Sequence, residues 1–103
     1  ALHFHNTRGM GLANIFAAVM MGMDSFETSV GGLGGCPFAP GSEGNTATED
    51  TVHMLNNMGC DTGISLQKLL RAVEYAKEHI DASLTGKMLQ VYTSACVNVS
   101  GRA

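Results

Sequence analysis

The sequence predicts an α/β fold in which short parallel strands alternate with helices. Three observations lead to this class. A segment of alternating apolar and polar residues opens the chain, a strongly apolar helical segment follows it, and a second strand-like segment comes next. Strand, helix and strand joined by short links are typical of parallel α/β folds, in which helices cover the faces of the sheet.

The first strand and the first helix are distinguished by their hydrophobic periods. Leu2-His3-Phe4-His5 alternates apolar and polar side chains, which predicts a strand. After turn residues, the segment 10–23 carries apolar side chains at helical spacing. This helix is apolar on nearly every face, so it needs cover on more than one side, and a chain of 103 residues supplies little cover.

The second strand is predicted over residues 25–30, after Gly22 near the helix end. The order strand–helix–strand predicts parallel pairing through a right-handed crossover. A glycine-dense loop follows over residues 31–45. A loop of this length inside a compact fold is usually functional.

Two further helices are predicted after the loop. Thr46-Ala47-Thr48-Glu49 matches a capping box and opens a helix that extends to about Met58. The next helix begins at residue 64 or 66 and ends at residue 80, with Leu69, Leu70 and Val73 on its apolar face. Residues 81–103 form a C-terminal extension, for which the pattern leaves strand and helix open.

Two parallel strands cannot form a complete sheet, because both faces need cover and both edges stay open. Alternating strands and helices fit an open α/β sheet or a (β/α)₈ barrel. A barrel takes about 250 residues, so two of its eight strands suit a chain of 103 residues. The isolated chain is therefore expected to be poorly stable or to aggregate.

Composition excludes several classes of protein. Hydrophobic residues make up 45%, charged residues 15%, and the net charge is −3, which argues against a polycationic nucleic-acid binder, an acidic tail or a disordered chain. The longest uncharged run, residues 9–23, is too short to span a bilayer. No signal peptide is visible at the start. Neither a nucleic acid nor a membrane is an expected partner.

The cysteines indicate a reducing compartment. Cys36, Cys60 and Cys96 are odd in number and show no short paired spacing, so they describe neither a disulfide framework nor a zinc ribbon. The cytoplasm is the expected location, with the mitochondrial matrix as the alternative.

His3 and His5 are candidate metal ligands. Residues two apart on a strand project to one face, so both imidazoles can hold one divalent ion. The alternative is a pair of surface histidines on an edge strand. From spacing alone the alternative is the more frequent outcome, since short motifs have many false positives.

The glycine loop carries two further candidates. Cys36 is either a reactive thiol that acts as acid, base or nucleophile, or a small apolar filler. Asn45, at the end of the loop, is either a metal ligand through its amide oxygen or a turn residue. No Gly-Lys-Ser/Thr follows the glycine run, so a phosphate-binding loop is not predicted.

Several motifs, in the right order, closely resemble the 3-hydroxy-3-methylglutaryl-CoA (HMG-CoA) lyase family over about residues 2–80. These motifs are His3-Phe4-His5-Asn6-Thr7-Arg8-Gly9, Leu12-Ala13-Asn14, Ser29-Val30-Gly31-Gly32-Leu33-Gly34-Gly35-Cys36-Pro37, Gly44-Asn45-Thr46-Ala47-Thr48-Glu49-Asp50 and Leu66-Gln67-Lys68-Leu69-Leu70. The Gly-Gly-Cys-Pro run favours a lyase over the related synthases and aldolases of the same metallolyase superfamily.

The resemblance implies a (β/α)₈ barrel with Mg²⁺ or Mn²⁺ in its mouth. It implies that residues 1–80 supply the last two strands and their helices, and that residues 81–103 are an extension. It makes His3, His5 and Asn45 metal ligands and Cys36 the catalytic cysteine. An aspartate ligand on the first strand of the family has no counterpart in this chain. Asn6 stands where better-known lyases carry Asp, which implies altered support of the ligands or altered substrate preference.

The resemblance also implies retro-Claisen cleavage of HMG-CoA to acetyl-CoA and acetoacetate, by an enzyme that is a homodimer at full length. This chain alone is expected to be inactive. One alternative is a sister lyase for another branched 3-hydroxyacyl-CoA. Another is a non-catalytic, truncated fragment that binds metal weakly.

Overall fold

Two short parallel strands form the sheet of this chain. A computed structural model describes residues 1–34, 44–80, 84 and 86–91. β1 (Leu2–His3) pairs in parallel with β2 (Phe26–Glu27), with Leu2 opposite Phe26 and His3 opposite Glu27. The predicted parallel pairing is confirmed.

Both strands are shorter than the hydrophobic pattern predicts. β1 and β2 pair with each other over only two residues. Farther along the chain, His5 forms an antiparallel bridge with Asn45, and Ser29 forms a parallel bridge with Ala47. The chain just beyond each strand is therefore paired with residues at the end of the glycine loop and directly after it.

Three helices surround this sheet: α1 (Gly11–Met20), α2 (Thr48–Asn57) and α3 (Leu66–His79). The prediction for α1 is three residues too long at its C-terminal end, because Gly22 adopts φ +93° in the left-handed region and the chain turns there. Ser65 accepts a hydrogen bond from the Lys68 N–H at the start of α3. Within the described ranges, no helix combines the length and the apolar character needed to cross a membrane.

The core lies where the three helices meet. Ile15 of α1 is 1% exposed, Val52 of α2 is 3% exposed and Val73 of α3 is 0% exposed. Among the residues that the structure describes, Ala18, Ala47, Leu70 and Leu89 are also buried. Each helix therefore buries part of its predicted apolar stripe, whereas Phe16 and Met20 of the α1 stripe stay exposed.

The predicted capping box at Thr46–Glu49 is wrong. The residue before α2 is Ala47, and no side chain caps the helix there. Thr46 Oγ1 donates to the Phe4 carbonyl, and Glu49 Oε1 accepts from the Gly31 N–H. Both side chains are buried, so contacts with distant residues replace the local pair that the motif predicts.

The C-terminal segment is described only in part. Residues 88–91 are helical and Leu89 is 6% exposed. The rest of the predicted extension, including residues 92–103, lies outside the described residues. At residues 88–91 the ambiguous pattern resolves as helix.

Candidate metal centre

The two histidines of the opening segment approach each other closely. The His3 and His5 Nε2 atoms are 3.4 Å apart, and the ring centroids are 5.0 Å apart with the planes at 77°. The prediction that both project to one face is confirmed. Two nitrogens bound about 2.1 Å from one ion, with an angle of about 90–110° between them, are about 3.0–3.4 Å apart. The separation therefore suits a pair of ligands on one cation.

Glu27 orients the first of these histidines. Its Oε2 lies 3.5 Å from His3 Nδ1, across the register of β1 and β2. A carboxylate at Nδ1 favours the tautomer with the proton on that nitrogen and leaves the Nε2 lone pair for a metal. The side chains are 42% and 65% exposed, so this pair contributes orientation more than stability. Glu27 belongs to none of the sequence motifs. The parallel register, which places Glu27 opposite His3, is the signal that identifies it.

Asn45 is held beside His5 by the backbone. Its bridge to His5 is flanked by the Asn6 N–H donating to the Gly44 carbonyl at 3.0 Å. Because main-chain hydrogen bonds set this neighbourhood, the spacing of these two residues does not depend on a flexible side chain.

The amide group of Asn45 has one satisfied end and one unsatisfied end. Nδ2 donates to the Leu33 carbonyl at 2.9 Å, whereas Oδ1 is buried and has no hydrogen-bond partner in the part of the chain that the structure describes. A buried acceptor without a partner costs free energy, about 1–3 kcal/mol. A cation would relieve this cost, and an amide oxygen is a ligand that Mg²⁺, Mn²⁺ and Ca²⁺ accept.

These residues fit a divalent ion, but they supply only part of a coordination sphere. Two imidazoles and one amide oxygen make three donors, whereas Mg²⁺ and Mn²⁺ favour about six. Within the described ranges, no group of three or more His, Cys, Asp and Glu residues is placed to hold a metal. The remaining donors must therefore come from other residues, substrate or water.

Glycines around Asn45 permit the close approach of the chain. A Cβ on Gly34, which has φ +101°, would meet Asn45 Nδ2, and a Cβ on Gly44 would meet the carbonyls of Gly32 and Gly34. These two glycines therefore let the backbone pack closely around the Asn45 amide, because they have no side chain to collide with it.

Asn6 caps the first helix. Its Oδ1 accepts a hydrogen bond from the Gly11 N–H at 3.1 Å. Gly11 has no room for a side chain, because a Cβ there would collide with Thr46 Oγ1. An Asp at this position keeps the acceptor oxygen, so the departure at residue 6 leaves the capping bond available. Arg8 in the following turn has φ 56°, a left-handed conformation that is uncommon for a residue with a side chain.

Of the four predicted site residues, the structure places the His3 and His5 rings side by side and bridges the backbone of Asn45 to that of His5. That these three residues bind a metal stays a prediction. Cys36 lies within residues 35–43, outside the described residues, so its predicted role stays a prediction.

Candidate ligands where parallel strands end, on a chain of alternating strands and helices, are typical of α/β enzymes. The HMGL-like family model matches residues 1–75, and the chain belongs to this family. Relatives of the chain include hydroxymethylglutaryl-CoA lyases and a citramalyl-CoA lyase.

The chain is 52% identical to a hydroxymethylglutaryl-CoA lyase of Bacillus subtilis over 95 residues, which cover 92% of this chain and 32% of the relative. It is 47% identical to the (R)-citramalyl-CoA lyase of Chloroflexus aurantiacus over 94 residues, covering 88% of this chain and 30% of that enzyme. The chain therefore spans about a third of the length of these relatives. Mouse relatives include a mitochondrial lyase at 47% identity (87% of this chain, 28% of the relative) and a cytoplasmic one at 43% (92% and 28%). Similarity therefore does not select a compartment.

Solved structures show the same similarity. The crystal structure of the B. subtilis HMG-CoA lyase matches with a TM-score of 0.83 at 51% identity, over 89% of this chain and 31% of that one. An HMG-CoA lyase from Acinetobacter baumannii, solved in complex with coenzyme A and 3-methylmalate, matches with a TM-score of 0.79 at 43% identity, over 86% and 29%.

Proposed function

We propose that this chain is part of a divalent-metal-dependent carbon–carbon lyase that cleaves HMG-CoA to acetyl-CoA and acetoacetate. The observation that carries the proposal is the 3.4 Å approach of the His3 and His5 Nε2 atoms beside Asn45. The backbone of Asn45 is bridged to that of His5, and its Oδ1 has no hydrogen-bond partner among the described residues. In this proposal residues 1–80 form the last two strands and helices of a (β/α)₈ barrel and residues 81–103 an extension. The complete enzyme, meaning residues 1–103 joined to the other strands, is a homodimer that acts on an acyl-CoA.

His3, His5 and Asn45 would hold the cation, which is Mg²⁺ or Mn²⁺. When bound, the cation supplies Lewis-acid stabilisation of negative charge on the substrate's hydroxyl and carboxylate oxygens. Glu27 keeps the His3 ring in the orientation that leaves Nε2 free.

The proposed reaction is a retro-Claisen cleavage. A base removes the proton of the 3-hydroxyl group, the oxygen forms a carbonyl, and the bond between C2 and C3 breaks. The electron pair of that bond passes to C2 of the thioester, which leaves as the enolate of acetyl-CoA. The Cys36 thiol then delivers a proton to C2 and completes acetyl-CoA. The role of Cys36 is supported by its place in the glycine loop and by the resemblance to the family.

The ligand assignment is tested by His5→Ala and Asn45→Ala in the complete enzyme. We expect each change to lower kcat/KM for HMG-CoA by about a hundredfold or more and to weaken Mn²⁺ binding, because each removes a donor. His53→Ala is the matched control, since His53 lies on α2 and pairs with Asn57 instead. Retention of both activity and Mn²⁺ affinity in His5→Ala would contradict the proposal.

The role of the thiol is tested separately from metal binding. We expect Cys36→Ala to abolish turnover and to leave Mn²⁺ affinity nearly unchanged, because the proton donor is lost and the ligands remain. Cys60→Ala, at a half-buried cysteine, is the control and should retain turnover. A Cys36→Ala enzyme with normal kcat would remove this residue from the mechanism.

A second substrate has its own support. The 47% identity to an (R)-citramalyl-CoA lyase favours another branched 3-hydroxyacyl-CoA as the candidate. Parallel assays of both thioesters with the complete enzyme distinguish the two substrates by their kcat/KM values. A complete enzyme that binds Mn²⁺ but cleaves neither thioester would favour the non-catalytic alternative.

A further inference from the structure

Glu49 carries a carboxyl group that the proposed reaction does not use. The residue is 0% exposed. Oε1 accepts from the Gly31 N–H at 2.9 Å, and Oε2 is buried without a hydrogen-bond partner in the described ranges. A carboxyl group is costly to bury, so its retention at this place calls for a specific role.

The carboxyl group holds one side of a glycine whose other side is also held. Gly31 has φ +68°, and a Cβ there would collide with the Leu84 side chain. The Gly31 carbonyl accepts from the Gly86 N–H at 3.4 Å, and a Cβ on Gly86 would meet Glu49 Oε2. Glu49, Gly31 and Gly86 therefore pack in direct contact, with no space for a further side chain.

Gly31 lies only two residues before the carbonyl that orients Asn45. The chain makes a tight turn at Val30–Gly32, and the next residue, Leu33, accepts the hydrogen bond from Asn45 Nδ2 at 2.9 Å. Movement of Gly31 is transmitted to the Leu33 carbonyl through a single residue. The Asn45 amide would then lose the bond that determines which way its oxygen faces.

We propose that Glu49 is a positioning residue for the metal ligand Asn45. By fixing Gly31, Glu49 holds the Leu33 carbonyl in place, and this carbonyl binds Asn45 Nδ2 so that Oδ1 remains available to the cation. The inference rests on the proposed function, because it needs Asn45 to be a ligand. In the part of the chain that the structure describes, Glu49 makes no hydrogen bond to His3 or His5. In this proposal it therefore affects the cation only through Asn45.

The neighbouring acid has a different task. Asp50 accepts from the Lys87 and Met88 N–H groups and makes no bond to Gly31. Loss of Asp50 should loosen the C-terminal segment but leave in place the hydrogen bond from the Gly31 N–H to Glu49 Oε1. Asp50→Ala is therefore a matched control that separates lost stability from lost positioning.

The test is Mn²⁺ affinity of the complete enzyme, measured by electron paramagnetic resonance of the free ion. We expect Glu49→Ala to weaken binding by about tenfold, at the lower end of what groups that support metal ligands contribute. Glu49→Gln should bind Mn²⁺ within about twofold of the unchanged protein, because its amide oxygen still accepts from the Gly31 N–H. Asp50→Ala should also retain its affinity.

A second variant keeps the test decisive if Glu49→Ala fails to fold. Gly86→Ala places a methyl group against Oε2 and displaces the carboxyl group without removing it. It should weaken Mn²⁺ binding, whereas Glu49→Gln should not. Unchanged affinity in Glu49→Ala or in Gly86→Ala would overturn the inference, as would equal losses in Glu49→Gln and Glu49→Ala.

Failure of the proposed function gives a different result. If the unchanged complete enzyme does not bind Mn²⁺, or if His5→Ala binds it equally well, the ligand assignment is wrong and the role of Glu49 falls with it. If His5→Ala loses binding while Glu49→Ala retains it, the ligand assignment stands and only the positioning role is rejected.

Discussion

At the scale of single residues, the environment of Glu49 controls its ionisation. Burial raises the pKa of the Glu49 carboxyl group, and the nearby charge of Asp50 adds to that effect. The N–H groups of Glu49 itself and of Gly31 lower the pKa, but by less than burial raises it. The folded protein therefore holds the Glu49 proton more tightly than the unfolded chain does.

This shift makes the stability of the protein depend on pH in a defined direction. Because the pKa is higher in the folded state, stabilisation by the protonated group is complete below the unfolded value of about 4.3 and is lost as the pH rises through the raised pKa. Glu49→Gln removes this titration. From pH 4 to pH 7.5, we therefore expect the urea midpoint of the unchanged complete enzyme to fall relative to that of Glu49→Gln.

The measurement is made with a chelator present, so that metal binding does not contribute. Gln67→Ala, on the exposed part of α3, is the control, because Gln67 has no titratable side chain, and its urea midpoint should differ from that of the unchanged protein by the same amount at every pH. If the urea midpoints of Glu49→Gln and the unchanged protein also differ by the same amount at every pH, the folded and unfolded states bind the Glu49 proton equally tightly.

At the scale of elements, α2 serves as the attachment point of the C-terminal segment. The Asp50 carboxylate accepts from Lys87 N–H through both oxygens, at 3.0 and 2.9 Å, and from Met88 N–H at 2.9 Å. These bonds satisfy N–H groups at the start of the helical residues 88–91, which have no partners inside that helix. The first turn of α2 therefore caps a different helix from its own.

We expect Asp50→Ala to lower the free energy of unfolding of the complete enzyme by about 1–2 kcal/mol, the usual effect of losing a capping carboxylate. Asp50→Asn should lose less, because one oxygen still accepts. Urea unfolding measures both changes. Equal stability of Asp50→Ala and the unchanged protein would show that the cap contributes nothing to folding.

The elements differ in how far sequence could predict them. α3 is predicted to within one residue of its C-terminal end, because a long periodic apolar stripe marks it. The strands are predicted in type and direction but not in length, because their ends pair with residues 44–47, and no local pattern specifies that pairing. The capping-box prediction failed for the same reason, since Glu49 is bonded to Gly31, eighteen residues earlier.

In the candidate site, too, local sequence predicts some features, and contacts between distant residues determine the others. A period of two is enough to predict that His3 and His5 share a face. The resemblance to the family, not spacing, singled out Asn45 as a ligand, and its unpartnered oxygen becomes visible only when Leu33 is placed beside it. Glu27 needs the strand register.

At the scale of the whole molecule, this chain leaves much apolar surface uncovered. Phe16, Met20 and Met21 of the α1 region are 47%, 66% and 84% exposed. An open groove of about 430 Å³ lies between α1, β2 and α2, and its apolar lining includes Val19, Phe26, Val52 and Leu55. The nearly all-apolar α1 thus lacks the cover on more than one side that its sequence requires.

We expect the isolated 103-residue chain to show no cooperative thermal transition and to aggregate on heating, because its exposed apolar faces pair with other copies. Scanning calorimetry of the isolated chain and of the complete enzyme makes the comparison. A sharp transition of the isolated chain, with an unfolding enthalpy of about 0.7 kcal/mol per residue, would contradict this expectation.

The joining of the chain on either side of residues 35–43 has a further consequence. The Asn45 amide binds Leu33, Gly44 packs against the carbonyls of Gly32 and Gly34, and the backbone of Asn45 pairs with His5. These contacts, all between residues on either side of the segment 35–43, hold residues 33 and 45 together. Leu33 and Asn45 lie 12 residues apart in sequence, so one side-chain hydrogen bond closes the base of the glycine loop.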